Sequence, residues 1–397
     1  MANLEKILTE KTKEIRSIYV SSYIPRRCGI ATFTKDLTNA INLLNPHVLA
    51  EIMAVVRPEE ITAYPWEVKF KIVQDDLDSY LRAADYINKS CTDVVVLEHE
   101  FGLFGGHYGE YIIPFSETIK KPLIITLHTV LDDPNSEPAI ILKRLVDKAA
   151  AVIVMTENIS KKLVNEYLIP GEKIVTIPHG TPDLPLGPSA PFKRKRRLSN
   201  RLVLGNINLI TPGRGLEYAL EAVSIIAKKY PEVLYLIIGQ THPVYLKEHG
   251  ELYRNSLKKL ARKLRISKNV RFVNQYITLE QLIDWLKTLD FYITPYLDPQ
   301  QSSSGALAYA IGAGKCCIST PYVYAKETLA NNRGILIPFK DPNAIASSVI
   351  ELWGNPEKKK TIEKNAYDYG RLMTWTNVAM QYLSLFKAVI KNKNGEN

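Results

Sequence analysis

Short β-branched apolar runs alternate with amphipathic stretches along this chain, and the alternation starts again partway through. Ile15–Val20 predicts a strand and Ala31–Leu44 a helix. Asp93–Leu97, Leu123–Leu127, Ala151–Met155 and Lys173–Ile177 predict further strands with helical segments between them. Such alternation means βα units on a parallel sheet. Thr181–Pro191, rich in Pro and Gly, and the basic run behind it predict a linker. After Asn200 the pattern resumes with a strand at Leu202–Ile210, a loop at Thr211–Gly215 and a helix at Leu216–Lys229. Strands follow at Val233–Ile238, Val270–Phe272, Phe291–Pro295, Cys316–Thr320 and Gly334–Phe339, with helices that include Leu279–Leu289 and Asp341–Trp353. A chain of 397 residues is long enough for two domains. The fold class expected is α/β, with two doubly wound parallel-sheet (Rossmann-like) domains and ligands at the carboxyl ends of strands, in the crevice where the domains face each other. The boundaries are 1–185 for the first domain, 186–200 for a basic linker, 201–372 for the second and 373–397 for a terminal helical segment.

No apolar run approaches the roughly 20 residues that span a bilayer. The start, Met1-Ala2-Asn3-Leu4-Glu5-Lys6, has acid where a secretory signal would have base before an apolar block. Four cysteines are too few for a disulfide framework and lack metal-ligand spacing. These features predict a cytoplasmic protein. The net charge of +10 is uneven: residues 1–190 hold 20 Lys+Arg against 25 Asp+Glu, Lys193–Arg197 add five bases, and residues 201–397 hold 26 against 16. A basic half suits an anionic partner such as a nucleotide, nucleic acid or acidic membrane; the plain alternative is a solvated surface. Nucleic acid is disfavoured, because basic and aromatic residues do not interleave. Bases spread over Arg254–Arg271 on an expected amphipathic helix raise peripheral contact at the inner membrane face, although Leu257, Leu260, Ala261 and Leu264 would turn its apolar side to the core.

Six segments sit where strands end. Tyr23-Ile24-Pro25-Arg26-Arg27-Cys28-Gly29-Ile30 joins a strand to a helix, so Gly29 lets an anion approach backbone N–H groups and Arg27 adds charge. A tight turn with solvated arginines is its structural alternative. Glu98-His99-Glu100 precedes the glycine-rich Gly102–Gly106, a ligand-facing arrangement for His99 and Glu100. Consecutive residues on extended chain point to opposite faces, so these three make a poor metal site, and no metal is expected. His128 ends the next strand, and His179 lies in a turn before the linker. In the second half, Thr211-Pro212-Gly213-Arg214-Gly215 sets one cation between two glycines, a physically sensible diphosphate cradle. Gln301-Ser302-Ser303-Ser304-Gly305 opens a helix with N–H and O–H donors, or simply caps it. The P-loop pattern is absent.

These segments together resemble the retaining family 4 glycosyltransferases, which have the two-domain GT-B fold, and the resemblance runs over nearly the whole chain. Tyr23–Thr34 looks like the family's first glycine loop, which packs on donor phosphate and acceptor. His128 looks like the strand-end histidine that contacts the transferred sugar, and Pro212–Glu217 is similar to the phosphate-binding segment, with Arg214 where lysine is usual. Ala308 to Lys315 resembles the donor-site helix, Arg333–Pro338 its following loop and strand, and Trp375 onward a last helix that crosses back to the first domain. Two glutamates eight positions apart are usual at the donor helix; here Gln301 and Tyr309 stand there. The second would hold the donor ribose, and Tyr309 cannot accept as a carboxylate does.

The resemblance implies transfer of a hexose from a nucleotide-diphosphate sugar, a co-substrate rather than a cofactor, to a saccharide or lipid-linked acceptor with retained configuration. Arg214, the Gly29 loop and Ser303–Ser304 would stabilise the leaving phosphate, His128 and Gln301 would hold the sugar, and domain closure would exclude water. Three alternatives are a glycoside phosphorylase on the same fold, a sugar-nucleotide epimerase and a catalytically degenerate binding partner. Paired-carboxylate glycoside hydrolysis is disfavoured because the spacing places no acid pair.

Overall fold

The structure is a computed structural model that describes residues 14–58 and 63–394. The start read above for a targeting signal, Met1–Lys6, lies outside the described residues, as does the end of the terminal segment, 395–397. The described residues form two compact units: those of 14–178 joined by 375–394, and 179–374.

In the first unit the strands are β1 (Ser17–Ser21), β2 (Glu51–Val56), β3 (Val68–Val73), β4 (Val94–His99), β5 (Leu123–Leu127), β6 (Ala151–Val154) and β7 (Ile174–Thr176). They pair in parallel in the order β3-β2-β1-β4-β5-β6-β7. The second unit has β8 (Leu202–Ile207), β9 (Val233–Ile238), β10 (Val270–Val273), β11 (Phe291–Thr294), β12 (Cys316–Ser319) and β13 (Ile335–Leu336), in the order β10-β9-β8-β11-β12-β13. Central strands such as β1, β4, β5 and β8 are buried along their whole length, which is why they read as unbroken apolar runs. Each sheet is doubly wound: the order reverses once, between β1 and β4 and between β8 and β11.

Several expectations change in detail. Strands β2 and β3 were not read from the sequence; the alternation of Val68, Phe70 and Ile72 with Lys69 and Lys71 is the signal for β3, an edge strand. Gly334–Phe339 shrinks to two residues, consistent with Pro338 offering no N–H to the ladder. The basic helix ends at Lys263 rather than reaching Arg271, which lies on β10, and Arg254 is buried against Glu251 at 2.9 Å. Leu257 and Ala261 face the core as expected. Among the described residues no helix is long and apolar enough to cross a membrane.

The segment expected to link the domains, 186–200, is built into the second unit. It forms a helix, Ala190–Lys195, and much of its charge is answered inside that unit. Lys193 is buried and bonded to Asp290, which also accepts from Val203 N–H at 2.8 Å and Ser189 Oγ at 3.1 Å. Lys195 meets Asp284 at 2.8 Å, and Arg196 lies 4.2 Å over the Trp285 ring. This run is therefore largely a structural strut.

Nearby, Lys315 is buried with its Nζ donating to Leu289 O at 3.1 Å. Burial depresses its pKa from 10.5 to about 8, against the attraction of Glu363. Between about pH 8 and 10 the unfolded chain binds the extra proton, so stability should rise with pH across that window. Lys315→Met should be at least as stable as the parent at pH 7 and lose most of that rise, as urea denaturation at pH 7 and 9.5 would record.

Candidate active site

In the second unit the site is built where the sheet reverses. The loop after β8 carries Gly213 at φ +89° and Gly215 at φ +64°. A Cβ on Gly215 would lie 1.9 Å from the Pro295 carbonyl, so only glycine lets the loop after β8 press against the loop after β11. Arg214 lies between these glycines, with its guanidinium 4.6 Å over the Tyr296 ring. Its Nη1 donates to Gln301 Oε1 at 3.3 Å, and Gln301 Nε2 donates to Ser303 O at 2.9 Å. Arg214 Nε is buried without a hydrogen-bond partner among the described residues, and no acid pairs with the guanidinium among them. A half-buried cation with only a neutral amide for company is a ready place for an anion.

Ser304 Oγ accepts from Leu307 N–H at 3.3 Å and caps the helix Gly305–Gly312. His179, read from the sequence as closing the first domain, belongs to this unit. Thr181 pairs with Thr374 beside it, and its N–H donates to Met373 O at 2.8 Å. His179 Nδ1 donates to Gly180 O at 2.7 Å, and its ring meets Tyr309 edge-on at 5.9 Å. Tyr309 is buried. A Cβ on Gly305 would approach His179 Nε2 to 2.9 Å.

In the first unit Cys28 caps the helix Gly29–Leu44 through its Sγ, which accepts from Ala31 N–H at 3.4 Å and lies 3.1 Å from Ser22 Oγ. Open space surrounds the Cβ direction of Gly29, Arg27 is exposed, and Arg26 donates to Val55 O at 3.4 Å. The ends of β4 and β5 are tied by side chains. His128 Nε2 lies 2.8 Å from Glu98 Oε2, both groups buried, and Thr129 Oγ1 donates to Glu100 Oε2 at 2.8 Å. Extended backbone turns His99 to the face opposite Glu98. His99 is packed against Phe101 and Phe104, and burial, then the nearby His128, depresses its pKa to about 3, so it is neutral at pH 7.

The glycine-rich loop after Glu100 is packed at Gly105. A Cβ on Gly105 would lie 1.8 Å from Gln74 O, and Gly105 N–H donates to Tyr80 Oη at 2.9 Å. Its glycines serve a close backbone approach. Of the residues singled out, the structure thus links Arg214, Gln301 and Ser303 by hydrogen bonds and gathers Ser304, Gly305, His179 and Tyr309 around one helix start. His99, Glu100 and His128 share two neighbouring strand ends in the other unit, with Gly29 and Arg27 after β1. Sequence reading missed the roles of Glu98, Tyr296 and Phe33. Glu98 pairs with Thr126 across β4 and β5, and such pairing follows from register, which needs the sheet order.

Gly305→Ala should destabilise the protein by about 1–3 kcal/mol through overpacking against His179. In a His179→Ala background the same change should become neutral or stabilising, because alanine is the better helix former. Thermal melts of the four variants check this.

Comparison with known proteins fits this geometry. Residues 190–369 match the family described as Glycosyl transferases group 1. A D-inositol 3-phosphate glycosyltransferase of Corynebacterium glutamicum is 23% identical over 296 residues, covering 69% of this chain and 68% of that protein. Among solved structures, the sucrose-phosphate synthase of Thermosynechococcus elongatus matches with TM-score 0.77 at 15% identity, over 95% of this chain and 100% of that one. Anabaena HepE, crystallised with UDP and glucose, matches with TM-score 0.73 at 12% identity over 94% and 100%. Residues 190–369 are thus similar to the group 1 glycosyl transferases, and the chain has the GT-B fold, with its two parallel-sheet α/β domains.

Proposed function

We propose that this protein is a retaining hexosyltransferase that moves a hexose from a nucleoside-diphosphate sugar to a saccharide or lipid-linked acceptor. The observation that carries this reading is Arg214: a cation held on Tyr296 between two left-handed glycines, with a neutral partner and an unpartnered Nε, at the reversal of the second sheet. A diphosphate supplies the acceptor oxygens that such a group lacks. The solved HepE binds UDP and glucose, which supports the same class of donor here.

In the reaction the bond from sugar C1 to the phosphate oxygen breaks, the acceptor oxygen bonds C1 on the same face, and the acceptor hydroxyl proton passes to the departing phosphate oxygen. Arg214 and the N–H groups beside Ser303 and Ser304 stabilise the charge gathering on the leaving phosphate. His128 holds the sugar and Gln301 hydrogen-bonds it without charge. Tyr309 replaces a ribose-binding carboxylate, which favours looser nucleotide selection and keeps orthophosphate, the co-substrate of a phosphorylase, as the competing donor-site ligand.

A thermal-shift screen with UDP, GDP, ADP and orthophosphate tests the reading. A nucleoside diphosphate at 100 times its Kd should stabilise the fold by about 2.7 kcal/mol. Arg214→Ala should weaken that binding by about 10- to 100-fold, the worth of a charge-assisted hydrogen bond. A shift from orthophosphate alone would select the phosphorylase, and no shift from any of the four would remove the donor site.

A further inference from the structure

Glu98 is the most deeply buried carboxylate at the strand ends of the first unit, and the proposed chemistry leaves it without a task. It is the last but one residue of β4, fully buried. Its Oε2 lies 2.8 Å from His128 Nε2, while Oε1 has no hydrogen-bond partner among the described residues. A carboxylate so placed depends on its few contacts for stabilisation. The imidazole is packed as tightly. Phe33, on the helix Gly29–Leu44, meets it edge-on at 4.8 Å, and His128 N–H donates to His99 O at 3.1 Å.

The other titratable groups around the pair are neutral. Burial first and Glu98 second push Tyr19 and Tyr382 well above the ordinary tyrosine value. Tyr382, on the helix Trp375–Asn394, is 3.0 Å from Thr126 Oγ1. His99 is the neutral imidazole already described. The Glu98 carboxyl is thus the group whose oxygen lies within hydrogen-bond distance of His128 Nε2, at 2.8 Å.

We infer that Glu98 is a positioning residue that fixes His128 as the tautomer protonated on Nε2 and sets its ring at the end of β5. The buried carboxylate also places negative charge behind the imidazole, where it favours the positive character that a sugar C1 acquires as its phosphate leaves. No proton passes between the two groups: it stays on Nε2. This inference rests on the reading that His128 meets the transferred hexose.

Two measurements on the full chain decide it. Long-range 1H–15N spectra of labelled protein, with His128→Ala to assign the signals, should show His128 protonated on Nε2, and Glu98→Gln should move that resonance or yield mixed tautomers. A proton on Nδ1 alone in the parent overturns the inference, and this arm holds even if Glu98→Gln does not fold. UDP release from UDP-glucose supplies the second measurement. Glu98→Gln should lower kcat about 100-fold or more with KM within about threefold, and should change the rate less than about twofold when His128 is already alanine. Equal losses in both backgrounds overturn the inference. If the parent turns over none of UDP-, GDP- and ADP-glucose, the hexosyltransferase reading loses its support while the spectra still judge the pair.

Discussion

Hydrogen bonding between parallel strands sets where everything else in each unit can be. Because the order reverses between β1 and β4, and between β8 and β11, the connections leaving those neighbours turn to opposite faces and their first residues are left beside one another. Arg214 leaves β8 and Gln301 follows β11, so a hydrogen bond joins residues far apart in sequence. Gly29 follows β1, while Glu98 and His128 end the next two strands. Chemistry gathers at these points because backbone geometry leaves polar groups there with neighbours but little cover.

Much of this was legible in the sequence. Leu123–Leu127 and Val233–Ile238 have the boundaries their apolar runs predict, since burial on both faces leaves an unbroken signal, and Leu216–Lys229 has those its helical apolar spacing predicts. Edge strands are harder, as β3 shows with its lysines interleaved. Positions of Arg214 and Gln301 at strand ends were legible, but the Tyr296 ring beneath Arg214 was not, because an aromatic just after a strand looks like core. The largest departures concern charge and glycine. Lys193 sits in a basic run that composition would place in solvent, yet Asp290 draws it inside. Gly105 reads as mobility until Gln74 O appears where a side chain would go.

Polar burial follows different logic at different places in the fold. Asp290 is saturated: one lysine, one hydroxyl and one backbone N–H share its oxygens, which suits a rigid joint. Glu98 and Arg214 are each left with an unanswered polar atom. Stability alone favours full satisfaction, so a buried polar atom without a partner calls for an account other than folding.

The helix Trp375–Asn394 belongs to the first unit, although the whole of His179–Thr374 is synthesised before it. It lays Tyr382 on Thr126, and Trp375 beside Phe33 at 5.4 Å. As the chain leaves the ribosome, the face of β5 beneath Tyr382 must therefore wait uncovered while an entire second sheet is made. Vectorial synthesis thus imposes a delay on the first unit that its own residue order, read alone, would not suggest.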